Sequence, residues 1–481
     1  MRELPVSPER LRALAARQPK HFPVLFDSAV QGALGRYSIL AALPRATLRL
    51  RGDGRLEHRG VTLHSRDFLG ALDEWWQREQ TAETTHPGPV PFRGGWVVYL
   101  GYELAGQIEV GLGLPNLPAE ATVALATRVQ AALVYDHEQQ RCFLVTEPAV
   151  LDEASAVVAA ALEQIGPTGV GSGAPALCGR VREAAPELFQ TAVLRAQQYI
   201  VSGDIYQANL SRAWAVKLTA GERALAGVGT LAHDSVVALS SVDTGALYER
   251  LRWANPAPFA VYATLPSETL LCSSPERLVR VKAGWVETRP IAGTRARAGT
   301  TTANADATDP LETRELLANP KERAEHVMLI DLERNDLGRI CEAGTVEVNE
   351  FMVTESYPHL HHIVSNVRGR RRVGVTPGAT LRAVFPGGTI TGCPKYRCMQ
   401  IIGELEAEPR GAYTGSIGYL NLDGEMDFNI LIRTATVRGT ELSFRTGGGI
   451  VADSEWSREL AETRAKAKGM LRAFGTAETD V

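Results

Sequence analysis

The sequence has no CxxC pair, no long apolar run and no surplus of charge, and each shortage removes a class of function. Its six cysteines, Cys142, Cys178, Cys272, Cys341, Cys393 and Cys398, lie far apart. That spacing argues against a disulfide framework or a zinc site and fits a reducing cytoplasm. No stretch approaches the roughly 18 apolar residues needed to span a bilayer. The opening Met1-Arg2-Glu3-Leu4-Pro5 lacks the apolar core of a signal peptide. A formal net charge of -4 provides no long-range field for nucleic acid or an acidic membrane. The basic run Val367-Arg368-Gly369-Arg370-Arg371-Arg372 has no interleaved aromatics and is expected to be a solvated turn. The expectation is a soluble cytoplasmic protein with neither nucleic acid nor membrane as a partner.

What is present is a large apolar fraction, 44% of 481 residues, enough for two domains or one composite domain. Up to about Gln164 the chain shows short alternating runs such as Ala46–Arg51 and the apolar run Gly95–Leu100, which read as strands. Helices are expected around Arg66–Arg78 and Ala154–Gln164. Glycine, proline and serine crowd into 166–175, the clearest linker signal. The expected division is 1–165, a linker over 166–186, and a catalytic region over 187–476. Beyond the linker, strands and helices mix without βαβ alternation, which predicts α+β architecture with largely antiparallel sheets. Gly447-Gly448-Gly449-Ile450 does not match GxGxxG and has no βαβ unit after it. Close approach of a ligand to bare backbone explains it better.

Two stretches carry the chemistry. In the helix expected over Thr313–Gly338, Glu322 and Glu325 fall three residues apart on one face, which continues into Met328, Leu329 and Leu332. Carboxylates heading an apolar stripe are costly unless solvated, paired or bound to metal. In the helix expected over Ser454–Phe474, Glu459, Glu462 and Lys466 form a second stripe at i, i+3 and i+7. Two helices each offering a glutamate pair suit Mg²⁺, which takes one or two carboxylates and fills its shell with water and substrate oxygens. A solvated first turn is the bland alternative for Glu322 and Glu325.

A series of ordered motifs runs through the same region: Gly203-Asp204-Ile205-Tyr206-Gln207-Ala208-Asn209-Leu210-Ser211, Ser273-Ser274-Pro275-Glu276-Arg277 and Arg289-Pro290-Ile291-Ala292-Gly293-Thr294-Arg295. Ala324–Leu329, Arg334-Asn335-Asp336, Phe385–Lys395 and Gly447–Ser454 follow in order. The chain resembles the chorismate-utilising enzymes, the family of anthranilate synthase component I, aminodeoxychorismate synthase component I and the isochorismate and salicylate synthases. That resemblance implies two antiparallel sheets in a sandwich with helices outside. It also implies Mg²⁺ on Glu325 and Glu462, with Glu322 and Glu459 holding metal-bound water. Glu276 would be the acid that protonates the departing 4-hydroxyl, since hydroxide leaves poorly at neutral pH. Arg433, Tyr413 and Lys466 would bind the substrate carboxylates. Gly293, Thr294 and the amides of Gly447, Gly448, Gly449 and Ile450 would contact substrate, and His362 and Thr389 would line its ring. Tyr413 and His362 could equally be satisfied core polar residues.

Gln207 and Ala292 bear on the reaction. The isochorismate and salicylate synthases carry a lysine at the first position to activate water. Ammonia needs no base, so Gln207 implies amination. Many aminodeoxychorismate synthases place a nucleophilic lysine where Ala292 stands, whereas anthranilate synthases have alanine there. A PIAGT-type subclass of aminodeoxychorismate synthases shares the alanine, and the segments Leu25–Ala29, Phe385–Gly392, Tyr357–His362 and Gly415–Tyr419 resemble the aminodeoxychorismate form more closely. The expected reaction is therefore amination of chorismate to 4-amino-4-deoxychorismate. Anthranilate synthase component I is the alternative, and a non-catalytic chorismate-binding subunit is a third reading. With no glutaminase nucleophile motif in the chain, ammonia is expected from a separate glutamine amidotransferase subunit. In relatives a tryptophan pocket lies near Leu25–Ser28 and Asn255–Phe259, so Ser28 and Phe259 either line such a pocket or, the favoured reading, only pack.

Overall fold

The computed structural model describes residues 1–30, 34–80, 90–166, 177–218, 242–296, 320–356 and 360–475. Helices and strands share the fold almost equally, and every strand pairing among the described residues is antiparallel. The two-residue period of the strands sorts their side chains into layers. On Tyr37–Arg51, Leu40 and Ala42 point into a cluster roofed by helices, while Ile39 and Ala41 point the other way. On Thr122–Asp136, Ala131 and Leu133 alternate with Ala132 and Val134 in the same manner.

The inner cluster is built from strands and loops alone, with Val24, Ile39, Val97, Tyr99, Leu125, Val261, Leu270 and Ile417 among its members. It is the filling of a sheet-on-sheet sandwich. Helices cover both outsides. Pro8–Arg17, Leu151–Ile165, Thr244–Ala254 and Trp456–Phe474 bury Leu14, Val158, Leu251 and Leu471 on one face. Phe68–Glu79, Pro320–Gly338 and Pro377–Val384 bury Trp75, Ile330 and Leu381 on the other. The expected α+β sandwich with external helices is the observed one.

Strands from the first 165 residues pair directly with strands of the catalytic region. Val24–Asp27 lies against Phe259–Thr264, and Gly95–Leu100 against Ser416–Asn421. Two sequence expectations differ from the structure. The second half of the expected linker, Leu177–Glu183, is a strand on Gln207–Leu218. Val181 enters the core there, a local apolar signal too short to outweigh the glycines before it. The arginine run is also not a simple solvated turn. Leu360–Arg370 is one strand, and the Arg368 and Arg370 guanidiniums stand 4.6 and 4.7 Å from the Trp285 ring on the neighbouring strand. The aromatic partner comes from across the sheet, where sequence proximity cannot reveal it.

Candidate active site

Two adjacent strands, Gln207–Leu218 and Glu441–Ile450, form the floor, with Gly449 opposite Asn209 and Gly447 opposite Ser211. The helix Trp456–Phe474 lies beside the second strand. Its Leu460, Thr463 and Ala467 are buried, which leaves Glu459, Glu462 and Lys466 on the flank facing the glycines. A Cβ on Gly448 would stand 3.6 Å from both Glu459 Oε2 and Glu462 Oε1, and 3.9 Å from Lys466 Nζ. Lys466 Nζ donates to Gly447 O at 2.8 Å and pairs with Glu462 at 2.8 Å. The other helix, Pro320–Gly338, brings Glu325 to the next glycine along. Gln207 Nε2 donates to Glu325 Oε1 at 3.1 Å, and a Cβ on Gly449 would come within 2.2 Å of that same nitrogen. Only glycine leaves room for this approach. Beside Glu325, His326 turns inward, buried, with Nε2 2.7 Å from Ser365 Oγ; burial pulls its pKa down to about 4. The neutral imidazole anchors a buried face of the helix about 100° round from Glu325.

Glu276 sits in the turn between the strands Thr269–Ser274 and Arg277–Lys282 and is 5% exposed. Its backbone is pinned, Ile430 N–H donating to Glu276 O at 3.0 Å. Burial pushes its carboxyl up to about 8. The nearby Thr389 hydroxyl, the Ile291 N–H and the Arg433 charge pull the other way, and Glu333 adds to the rise. The threonine does not complete a well-aligned bond: Glu276 Oε1 and Thr389 Oγ1 are both buried without a hydrogen-bond partner. An orphaned buried carboxyl oxygen costs stability. Arg433 stands half-buried at φ +50°, a conformation that a non-glycine residue adopts at a cost.

Tyr413 is buried, its hydroxyl 2.9 Å from where a Gly447 Cβ would lie, and burial pushes its pKa up to about 12. Beneath it runs an ionic network. Glu406 accepts from Ser211 N and Oγ at 2.8 and 3.0 Å, from Arg410 at 2.7 and 3.0 Å, and from Arg445 at 3.0 Å. Burial would raise the Glu406 pKa, but the two guanidiniums outweigh it and hold the carboxylate ionised. Arg410 also reaches Asn209 O and Ile390 O and lies over the Tyr413 ring at 5.7 Å. His362 is buried on Leu360–Arg370, opposite Thr294 in register, with Ala292 opposite Ile363. Gly293 lies on the same strand, Ile291–Ala296.

The expected residues thus gather from separate elements. Glu325, Gln207, Glu459, Glu462 and Lys466 meet at Gly447–Ile450, and Glu276, Thr389 and Arg433 meet beside the Ile291–Ala296 strand. Glu322 lies one turn before Glu325 on its helix. Among the described residues no group of three or more His, Cys, Asp or Glu side chains is close enough to hold a metal ion. Magnesium needs fewer protein ligands than that. Glu462 Oε1 approaches Gly448, and Glu325 Oε1 reaches the same floor through Gln207 Nε2; carboxylate oxygens are the hard ligands this ion takes. Sequence reasoning missed Glu406, Arg410 and Arg445, as well as Glu333, Asp336 and Lys395. Asp336 and Lys395 fall inside the ordered motifs, yet spacing alone gives neither a role.

Ser28 and Phe259 line a separate cavity of about 500 Å³ together with Asp27, Arg36, Tyr419 and Asn429. A second cavity, of about 490 Å³, lies along the outer part of the floor and is bounded by Tyr413, Arg410 and Arg445.

A family profile described as chorismate binding enzyme matches residues 29–472. The chain belongs to the chorismate-binding enzymes. Aminodeoxychorismate synthase component 1 of Bacillus subtilis is 39% identical over 97% of the chain and 94% of its own length. Anthranilate synthase component 1 of Thermus thermophilus is 37% identical over the same shares. The crystal structure of anthranilate synthase component I from Streptococcus pneumoniae superposes with a TM-score of 0.74 at 28% identity, covering 92% of this chain and 93% of that one. The protein is a chorismate-utilising enzyme of the aminodeoxychorismate or anthranilate synthase component I kind.

Proposed function

We propose that the protein aminates chorismate to 4-amino-4-deoxychorismate, with Mg²⁺ on Glu325 and Glu462 and ammonia delivered by a glutamine amidotransferase subunit. The observation that carries amination is the contact of Gln207 with Glu325 at 3.1 Å. A neutral amide occupies the place from which a base would activate water, and ammonia, already nucleophilic, needs none. Glu276 protonates the departing C4 hydroxyl, which leaves as water while ammonia forms the bond to C2. Its buried, unpartnered Oε1 suits a group that must be protonated before turnover. With alanine at 292, no side chain at that position attacks the ring. A second ammonia then adds at C4 as the amine at C2 departs, giving the 4-amino product without a covalent intermediate.

Lys466 and Arg433 oppose the substrate carboxylates and Tyr413 donates to one of them, while Thr389 and His362 line the ring. Glu322 and Glu459 would stand in the outer shell of that Mg²⁺ ion. Bound magnesium would supply positive charge to a substrate carboxylate. The choice of C4 over C2 is supported by the 39% identity to the Bacillus subtilis aminodeoxychorismate synthase component 1 and by the likeness of 385–392 to that form. Its test supplies the purified chain with chorismate, Mg²⁺, ammonia and an aminodeoxychorismate lyase. 4-Aminobenzoate is expected; anthranilate fluorescence would transfer the protein to the C2-aminating branch, and no product would leave a binding subunit.

A further inference from the structure

Glu276 is not the only carboxyl buried in this part of the molecule. Glu333, on the helix Pro320–Gly338, is 6% exposed, and Asp336 one turn later is 7% exposed. Glu333 Oε1 lies 3.3 Å from where a Gly388 Cβ would stand, against the backbone of the Gly388–Ile390 turn that carries Thr389. Both glutamates therefore border that turn, Glu276 acted on by the Thr389 hydroxyl and Glu333 beside Gly388. Behind Glu333, Lys395 Nζ donates to Asp336 and, at 3.2 Å, to Val384 O. Lys395 is 15% and Asp336 10% exposed at the side chain, so this end approaches the surface while Glu276 stays enclosed.

Two carboxyls buried around one turn, one acting electrostatically on the other, cannot both ionise freely. The surroundings decide which carboxyl keeps the proton. Facing Glu333 are Asp336, Lys395, the Thr288 hydroxyl and the Gly388 N–H; facing Glu276 are Glu333, Arg433, the Thr389 hydroxyl and the Ile291 N–H. Arg339 and Glu109 act on Asp336 from the rim. Burial pushes both glutamates up, Glu333 to about 7 and Glu276 to about 8. Asp336 adds to the rise at Glu333 and the Lys395 ammonium opposes it; at Glu276 Arg433 opposes the rise and the Glu333 charge adds to it, so an ionised Glu333 favours the proton on Glu276.

We propose that Glu333 is a positioning residue for the catalytic acid: its carboxylate, held on the Lys395 side of a buried pair, keeps the reacting proton on Glu276. This rests on the assignment of Glu276 as the general acid. Nothing in the spacing signals it, because Glu333 and Asp336 at i and i+3 read as a solvated helix end.

The test is kcat against pH with chorismate and ammonia saturating at every pH, following loss of chorismate so that the identity of the product does not matter. The wild-type rate should fall on the alkaline side near pH 8. Glu333→Gln removes the charge but keeps the shape, so the limb should move down by about one pH unit. A one-unit shift means about tenfold less turnover above the limb and little change at pH 6. Lys395→Met, which lets Glu333 take up the proton, should move the limb the same way and serves if Glu333→Gln does not fold. A limb that stays put, with turnover reduced equally at all pH values or only KM raised, would give these residues a purely structural role. Glu276→Gln separates the two claims. If it turns over like wild type, the acid assignment has failed; if it is dead while the limb of Glu333→Gln is unmoved, only the role of Glu333 has.

Discussion

Replacing Glu276 by glutamine tests the chemistry and the burial together. With its carboxyl pushed up to about 8, about nine-tenths of the wild-type enzyme carries the proton at pH 7. Glutamine fills the same space and has no acidic proton to give. Loss of a positioned general acid costs about 10²- to 10⁴-fold, which is roughly 3 to 5 kcal/mol of barrier. Chorismate binding should survive, because Glu276 is expected to interact with the hydroxyl and not with the carboxylates. Stability should move in the opposite direction. Between the ordinary glutamate range and pH 8 the unfolded chain releases this proton while the folded protein keeps it. The folded state binds more protons across that window, so rising pH destabilises it, by on the order of a few kcal/mol in total. Glutamine escapes that penalty. Turnover assays with fluorescence-monitored chorismate binding, and thermal melts at pH 5 and pH 8, read both effects. Glu276→Gln should lose at least a hundredfold in kcat, bind chorismate as before, and melt higher than wild type at pH 8 but not at pH 5. Wild-type kcat in the variant, or an equal melting shift at both pH values, would refute the reasoning.

Three further outcomes follow from the geometry. Gly449→Ala places a methyl group 2.2 Å from Gln207 Nε2, so kcat should fall at least tenfold as the Gln207–Glu325 contact breaks, with far smaller losses for Gly475→Ala at the distant helix end; equal effects would dissociate the contact from turnover. Chelation with EDTA should abolish chorismate consumption, and added Mg²⁺ should restore it; full activity in excess chelator would remove the ion from the glutamate helices. Tryptophan titrated calorimetrically should give no heat at millimolar ligand if Ser28 and Phe259 only pack, the favoured reading, and saturable heat would assign them to a tryptophan pocket.

The two-sheet sandwich was implied by the family resemblance; what the residues themselves made legible was strand alternation, as in Ala46–Arg51, because side chains repeat with a period of two. The glutamate stripes were legible for the same reason at helical period: Glu459, Glu462 and Lys466 share a flank by spacing alone, and Gly447–Ile450 announced exposed backbone. That Glu459, Glu462 and Lys466 face Gly448 while Glu325 meets Gln207 on the adjoining strand is a tertiary fact, carried by the pairing of Glu441–Ile450 with Gln207–Leu218. The ionic floor escaped altogether. Glu406, Arg410 and Arg445 look like ordinary surface charges in sequence, and only burial of all three makes them a network. Glu333 escaped likewise, since a charge near a helix end is usually solvated. The Leu177–Glu183 strand was hidden by the glycines beside it.

The central claim is that this enzyme puts nitrogen on C4 of chorismate, and the position of a labelled atom tests it directly. Purified chain, Mg²⁺ and chorismate are given ¹⁵N-ammonia, and the product is followed by ¹⁵N-edited NMR. The account predicts ¹⁵N bonded to C4 of an aminated product that retains the enolpyruvyl group. Label bonded to the ring of anthranilate, with pyruvate released, would contradict it.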